Sequence, residues 1–319
     1  MNTPRILIIG ANGQIGTELT HALVERHGRE AVVTSDLAPE GRVIGVHHEA
    51  LDATEASAIT AIVERHQITQ IYLLAAALSA RGEQHPTWAW DLNMKGLLNV
   101  LELARTHKLE RVFWPSSIAA FGPSTPRKHT PQKAVMDPST VYGISKLAGE
   151  GWCAWYHRNH GVDVRSLRYP GLISWKTAPG GGTTDYAVEI FHAALRDGRY
   201  TCFLAGDTAL PMMYMPDAIR ATIELMEAPS ACVRERQSYN LAGISFTPQD
   251  IAAAIARRLP GFTLRCEPDF RQAIADSWPR SIEDSAAQRD WHWQAQYDLE
   301  AMVADMLENL RTTLSQPPG

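Results

Sequence analysis

The 319-residue sequence predicts an α/β fold built on a doubly wound parallel sheet, and three observations carry that prediction. Aliphatic runs without polar alternation, such as Ile6-Leu7-Ile8-Ile9, suit strands buried on both faces. Segments with helical apolar spacing fall between those runs, and a β-α-β rhythm implies parallel pairing. The first run ends in Gly10-Ala11-Asn12-Gly13-Gln14-Ile15-Gly16, a turn able to bring backbone close to a ligand.

After this turn a helix is predicted over Thr17–Arg26, with Leu19, Ala22 and Leu23 on one face. A strand over Ala31–Ser35 then ends in Asp36. The order strand, glycine turn, helix, strand, acid is a Rossmann-type dinucleotide signature. Side chains are excluded at Gly10 and Gly13 so that a pyrophosphate can approach, and Gly16 lets the helix pack on the strand. The helix N-terminus offers free N–H groups and the positive end of its dipole. Asp36 stands 20 residues after Gly16, where a carboxylate accepts both ribose hydroxyls and repels a 2′-phosphate. Leu37, not an arginine, follows it, so the expected cofactor is NAD rather than NADP. Asn12, Gln14 and Ile15 belong to the same cofactor turn.

The rhythm continues with a helix over Ala56–Arg65 and a strand over Gln70–Leu74 leading into Ala75-Ala76-Ala77. Leu51 and Asp52 close the preceding strand, where such folds seat the adenine. Leu74, Ala75 and Ala76 are expected against the cofactor, as is Asn93 at the head of a helix over Asn93–Ala104. Strands follow over Arg111–Trp114 and Val162–Leu167. Tyr169, Gly171 and Leu172 are placed beside the nicotinamide carboxamide.

Composition sets outer bounds. The chain is 45% hydrophobic and 20% charged, which excludes disordered and collagen-like classes. Its net charge of -5 and lack of a basic stripe argue against nucleic acid as a partner. No stretch approaches the roughly 20 apolar residues of a membrane span. Cys153, Cys202, Cys232 and Cys266 are too scattered for a disulfide framework, so a reduced, cytoplasmic protein is expected. Twelve histidines form no H-E-x-x-H or Cys-rich cluster, and no metal is expected.

The chemical centre is Tyr142-Gly143-Ile144-Ser145-Lys146, behind Asp137-Pro138-Ser139-Thr140 as a helix start. Tyr142 and Lys146 are i and i+4, on one helix face. A phenol is a poor base near neutral pH, and a neighbouring ammonium, with the charge of oxidised nicotinamide, favours its phenolate. Tyr142 is therefore the predicted base, Lys146 its partner and a ribose ligand, and Ser117 the hydrogen-bonding group for the substrate oxygen. Ser116 takes that role if the register differs by one residue.

The arrangement resembles the Ser-Tyr-Lys triad of the short-chain dehydrogenase/reductase superfamily, and the G-x-x-G-x-x-G spacing resembles its extended branch. Ser117-Ile118-Ala119-Ala120-Phe121-Gly122 is similar to a nucleotide-sugar epimerase segment, with Phe121 in place of the usual Tyr and Pro115 before the serines. Gly181-Gly182-Thr183-Thr184-Asp185-Tyr186 resembles the short-chain type of L-threonine 3-dehydrogenase more closely. So do Leu73–Ala80, Arg81-Gly82-Glu83, Trp114–Ala119, Trp278-Pro279, Asp284-Ser285 and Asp290-Trp291. That resemblance implies NAD-dependent oxidation of L-threonine to 2-amino-3-oxobutanoate, with Ser79, Tyr142, Thr183, Thr184 and Asp185 around the substrate. Trp278 and Trp175 are available to cover a small site. A nucleotide-sugar epimerase or dehydratase is the alternative enzyme. The alternative outside enzymes is an NAD-binding sensor, whose mark would be a missing Tyr or Lys.

Further helices are expected over Pro216–Ala228, Pro248–Leu259 with a Thr247 cap, and Asp298–Leu314, with a strand over Tyr239–Leu241. Thr183, Thr184 and Asp185 are expected to cap another. Residues 1–176 and 212–246 are assigned to the NAD-binding domain. Residues 177–211 and 247–319 are assigned to a smaller, discontinuous substrate-binding lobe. The apolar faces of Asn93–Ala104 and Tyr142–Tyr156 suggest a homodimer paired through a four-helix bundle, the common arrangement in the superfamily it resembles.

Overall fold

The computed structural model describes residues 3–177 and 182–315, apart from the side chains of residues 79–81, 314 and 315. Strand β1 (Ile6–Ile9) leads through the glycine turn into α1 (Gln14–His27), then β2 (Val32–Asp36) and β3 (His47–Ala50). Next come α2 (Ala56–His66), β4 (Gln70–Leu73), α3 (Ser79–Gln84) and α4 (Pro86–His107). Then follow β5 (Arg111–Phe113), β6 (Ser116–Ser117), α5 (Val141–His160) and β7 (Val164–Arg165). Six of these strands form one sheet in the order β3-β2-β1-β4-β5-β7, with every pairing parallel.

The unbroken apolar runs reflect two packed faces. Ile6 and Ile8 join Leu19 and Leu23 of α1 in one core layer. Leu7 and Ile9 join Ile59 and Ile62 of α2 and Leu97 and Leu101 of α4 in the other. Tyr72 and Phe113 face the first layer, while Ile71, Leu73 and Val112 face the second. With a side-chain period of two, each strand needs apolar residues at every position.

The remaining strands are β8 (Leu167–Tyr169), β9 (Gly171–Ile173), β10 (Arg199–Cys202) and β11 (Leu210–Tyr214), with α6 (Tyr186–Asp197) before β10 and α7 (Met215–Glu227) after β11. The chain closes with β12 (Tyr239–Asn240), β13 (Ile244–Phe246), α8 (Pro248–Arg258), β14 (Thr263–Cys266), α9 (Arg271–Asp276), α10 (Ser285–Trp291) and α11 (Leu299–Ser315). Three small sheets result, β13-β11-β9, β12-β8-β6 and β10-β14. A third core layer joins α6, α8 and α11 through Phe191, Ile251 and Met306, and reaches Ile118 and Phe121 just beyond β6.

Several expectations shift. The strand expected over Val162–Leu167 is split at Ser166: β7 stays in the main sheet and β8 pairs with β6 and β12. Buried polar groups cause the step. Arg165 donates to the carbonyls of Leu225, Met226 and Ala228, and Ser166 Oγ meets Ser238 Oγ at 2.9 Å. The strand expected to close at Leu51 and Asp52 is β3, which ends at Ala50; His47-His48-Glu49-Ala50 carries no apolar pattern, as suits an edge strand with one neighbour. Thr247 does cap α8, in a reciprocal capping box with Asp250. Asp185 stands at the N-cap position of α6 but its side chain caps no helical N–H; it accepts from Gly182 N at 2.6 Å instead. Among the described residues no helix is long and apolar enough to cross a membrane.

Candidate active site

The glycine turn is shaped by contacts on both sides. Gly10 has φ +89°, and a Cβ there would lie 2.5 Å from Ala75 N. Gly16 is equally constrained, since its Cβ would lie 2.4 Å from Gly10 O. Gly13 differs: no protein atom comes nearer to its Cβ position than Gly10 O at 3.4 Å, so the room is left on the cavity side. Helix α1 starts behind Gly13 with no side-chain cap and no acid in its first turn. Its N–H groups and dipole are therefore left for an anion.

Asp36 ends β2 and accepts from Asn12 N at 3.0 Å. Asn12 is fixed in turn by Nδ2 donating to Glu40 O at 2.8 Å and Oδ1 accepting from Arg42 N at 2.9 Å. Asn12, Gly13, Asp36, Glu40 and Arg42 line one hollow beside the turn. Arg42, six residues beyond Asp36, carries no spacing signal in the sequence and reaches the hollow only through the fold of this loop. Leu51 is buried, and its N–H donates to Asp36 O at 2.8 Å. Asp52 Oδ1 accepts from both N and Oγ1 of Thr54 at 2.8 Å, shaping the turn before α2. Asn93 is buried and bonded to Ala77 N and O and to Ser145 Oγ, so it ties α4, α5 and the end of β4 together. Leu51, Asp52, Ala75 and Asn93 lie outside the linings of both the hollow and the main cavity.

That main cavity, of about 270 Å³, opens at the carboxyl ends of β1, β4, β6 and β8. Gly10, Gly13, Gln14, Ile15 and Gly16 line one end, with Leu74 and Ala76. Tyr142 and Lys146 enter from the first turns of α5, where Thr140 Oγ1 accepts from Gly143 N at 3.0 Å. Lys146 is buried, its Nζ donating to Pro115 O at 2.6 Å and lying 5.3 Å from the Tyr142 ring centroid. Burial pushes the Lys146 ammonium down to about 7 and the Tyr142 phenol up to about 12, with a hydrogen bond from Ser117 opposing the latter. Among the protein's own groups, burial thus outweighs the ammonium's expected effect on Tyr142.

The two serine hydroxyls have different partners. Ser116 Oγ is turned inward and donates to buried Glu150 Oε1 at 2.6 Å. Ser117 is the one that meets Tyr142, and its Oγ also accepts from Ala119 N at 3.2 Å. Glu150 is held by Arg168 through bonds of 2.9 and 2.7 Å, a buried pair that fixes the end of β6 beneath the site.

The opposite wall comes from β9 and the turn before α6. Gly171 and Leu172 line it, with Tyr169, Thr183, Thr184, Asp185 and Trp278. Gly171 has no room for a side chain, since its Cβ would lie 2.6 Å from Thr184 Cγ2 and 2.5 Å from Met212 Sδ. That close approach seats the Thr183–Thr184 turn against β9. Asp185 and Lys146 are the charged residues of this described lining. The side chain of Ser79 lies outside the described residues, as do Gly180 and Gly181.

Residues 6–242 match the NAD dependent epimerase/dehydratase family. The chain belongs to that family. NAD is therefore its cofactor, and the uncapped α1 start and the space at Gly13 fit it. A family relative described as an uncharacterized epimerase/dehydratase, from Staphylococcus haemolyticus, is 50% identical over 308 residues, covering 95% of this chain and 96% of its own. Among solved structures, a GalE-like L-threonine dehydrogenase from Cupriavidus necator, holo form, is 70% identical with TM-score 0.95, covering 96% of this chain and 100% of that one. A monomeric L-threonine 3-dehydrogenase from a metagenome, apo form, is 45% identical with TM-score 0.93, covering 97% and 99%.

Within this family member, Leu78, Pro115, Ile118, Pro170 and Gly182 also line the cavity and were not among the expected site residues. Pro115 carried a signal of its own, as an unusual residue before paired serines, and its carbonyl is the acceptor for Lys146.

Proposed function

We propose that the chain oxidises L-threonine at its β-carbon to 2-amino-3-oxobutanoate. One observation carries this reading: Tyr142, Lys146 and Ser117 share a single small cavity with the Thr183–Thr184–Asp185 turn. A small zwitterion matches the sparse charge of that lining. A nucleotide diphosphate calls for clustered Arg donors, and no Arg is among the described lining residues.

NAD supplies the hydride acceptor. Ser117 donates to the substrate hydroxyl oxygen and fixes its direction. Tyr142, as phenolate, takes the hydroxyl proton while the β-carbon loses hydride. Lys146 stabilises that phenolate and holds the nicotinamide ribose. Thr183, Thr184 and Asp185 hold the amino acid, the Asp185 carboxylate facing the substrate ammonium, and Trp278 roofs the site. The Asp36 carboxylate receives the adenosine ribose and favours NAD over NADP.

The family's own name keeps a nucleotide-sugar epimerase or dehydratase as the second reading. Purified protein supplied with NAD and, separately, L-threonine, serine, 3-hydroxybutyrate and a UDP-sugar distinguishes the two. Turnover of the UDP-sugar and none of threonine would sink the first reading.

The chain is also proposed to act as a cytoplasmic homodimer. Its four cysteines are free, as in a reducing compartment. Ile144, Trp152 and Trp155 of α5 and Trp88 and Trp90 of α4 are exposed, an unusual aromatic density on two helices that pack together. Light scattering on the purified protein should give about twice the 35.3 kDa chain mass. A single-chain mass would place it with the monomeric relative.

A further inference from the structure

His47, Glu49 and His66 meet at the edge of the main sheet, away from the chemistry described above. His47 and Glu49 are i and i+2 on β3, so both side chains leave the same face of the strand. His48, between them, points elsewhere: its Nδ1 meets Thr34 Oγ1 and its Nε2 meets Ala38 O, both at 3.0 Å. His66, the last residue of α2, reaches over the strand. Its Nε2 lies 2.8 Å from Glu49 Oε1, and His47 Nε2 lies 3.1 Å from the same oxygen. The three ligand atoms all fall within 4.8 Å of one another, and the imidazole rings are 4.6 Å apart.

We propose that these three side chains form a binding site for a divalent transition-metal cation of the zinc or nickel class. Two imidazoles and one carboxylate are the donor set that borderline cations prefer. With metal–ligand bonds of about 2.1 Å, tetrahedral ligand atoms stand roughly 3.4 Å apart. The two nitrogen-to-carboxylate spacings, 2.8 and 3.1 Å, need to open by about 0.3–0.6 Å, the two imidazole nitrogens already lie within 4.8 Å of each other, and water takes the fourth position. Arg65 competes, because its Nη1 donates to the same Glu49 oxygen at 2.9 Å. Its side chain is 58% exposed, so it can turn into water when a cation arrives.

The site is structural, not catalytic. Strand β3 and strand β7 are opposite edges of the sheet, and Tyr142 stands on the helix that leads into β7. A cation bound here joins an edge strand with one neighbour to the helix packed behind it. It does so beside the ribose carboxylate, since Ser35 pairs with Glu49 and Asp36 with Ala50.

The test is titration calorimetry of the full chain, stripped with chelator and supplied with zinc chloride. Wild type should bind zinc at one site that His47→Ala weakens by at least about tenfold, the loss that even a change in an outer partner of a ligand brings. Arg65→Gln should bind zinc more tightly than wild type, because it removes the competing cation. Zinc should raise the melting temperature of wild type and not of His47→Ala. His47 is half in water and remote from Tyr142, so its removal should leave threonine turnover in chelator unchanged. Zinc affinity that is the same in wild type and His47→Ala, or no zinc binding by wild type, overturns the proposal.

Discussion

The two walls of the cavity are built in different ways. The glycine-turn wall is made chiefly by one continuous segment, Gly10–Gly16, backed by Leu74 and Ala76 at the end of β4. The opposite wall brings together Gly171, Thr183–Asp185 and Trp278, which are distant in sequence and meet only through tertiary packing. A local wall tolerates little at its glycines, whereas an assembled wall depends on every partner that seats it. Substitutions on the two walls should therefore fail differently: one by losing cofactor, the other by losing substrate. Changes at the triad between them should spare both kinds of binding and abolish turnover.

The largest effect is expected there. Tyr142→Phe removes the base and keeps the ring, so kcat should fall about 10²- to 10⁴-fold while NAD binding, read by fluorescence titration, stays close to wild type. Full activity in that variant would remove Tyr142 from the mechanism. Lys146→Met should also lower kcat, and it should move the pH profile. The base acts as phenolate, so turnover rises as pH climbs through the phenol's apparent pKa. Without the ammonium that pKa rises, and this ascending, acid-side limb should shift upward by about one unit or more. An unmoved limb would leave Lys146 with ribose binding alone.

Gly171→Ala probes the assembled wall. The added methyl must displace Thr184 or Met212, at about 1–3 kcal/mol. A raised KM for threonine, larger than the loss of NAD affinity that Gly171's place beside the nicotinamide also brings, is the expected steady-state pattern. Equal losses for both ligands would blur the contrast between the walls.

The smallest effect is expected at the ribose. Asp36→Ala should weaken NAD by roughly tenfold, the scale of a lost hydrogen bond to a charged group, and relax the bias against NADP. Arg42 lines the same hollow, so combining Asp36→Ala with Arg42→Ala shows whether that cation then favours a 2′-phosphate. Unchanged cofactor preference in Asp36→Ala would contradict the ribose role.

This contrast also explains what could be read before folding. The Ile6–Asp36 unit was legible because its information is local: an apolar run, three glycines at fixed spacing and an acid at the end of the next strand. Tyr142 and Lys146 were legible because four residues is one helical turn. Ser116 and Ser117 were not separable, because only the buried Glu150–Arg168 pair claims one hydroxyl and frees the other. Asp185 was expected as a cap and instead braces Gly182, since no spacing rule says which N–H a carboxylate will meet. Strand β3 was legible only at its close, because an edge strand facing water needs no apolar pattern.

The account rests on threonine oxidation in one shared cavity. Its most direct test is absorbance at 340 nm with purified protein, NAD and L-threonine. NADH should accumulate in proportion to enzyme, and Tyr142→Phe should bring the rate close to the blank. No NADH above the blank from the wild-type chain would contradict it.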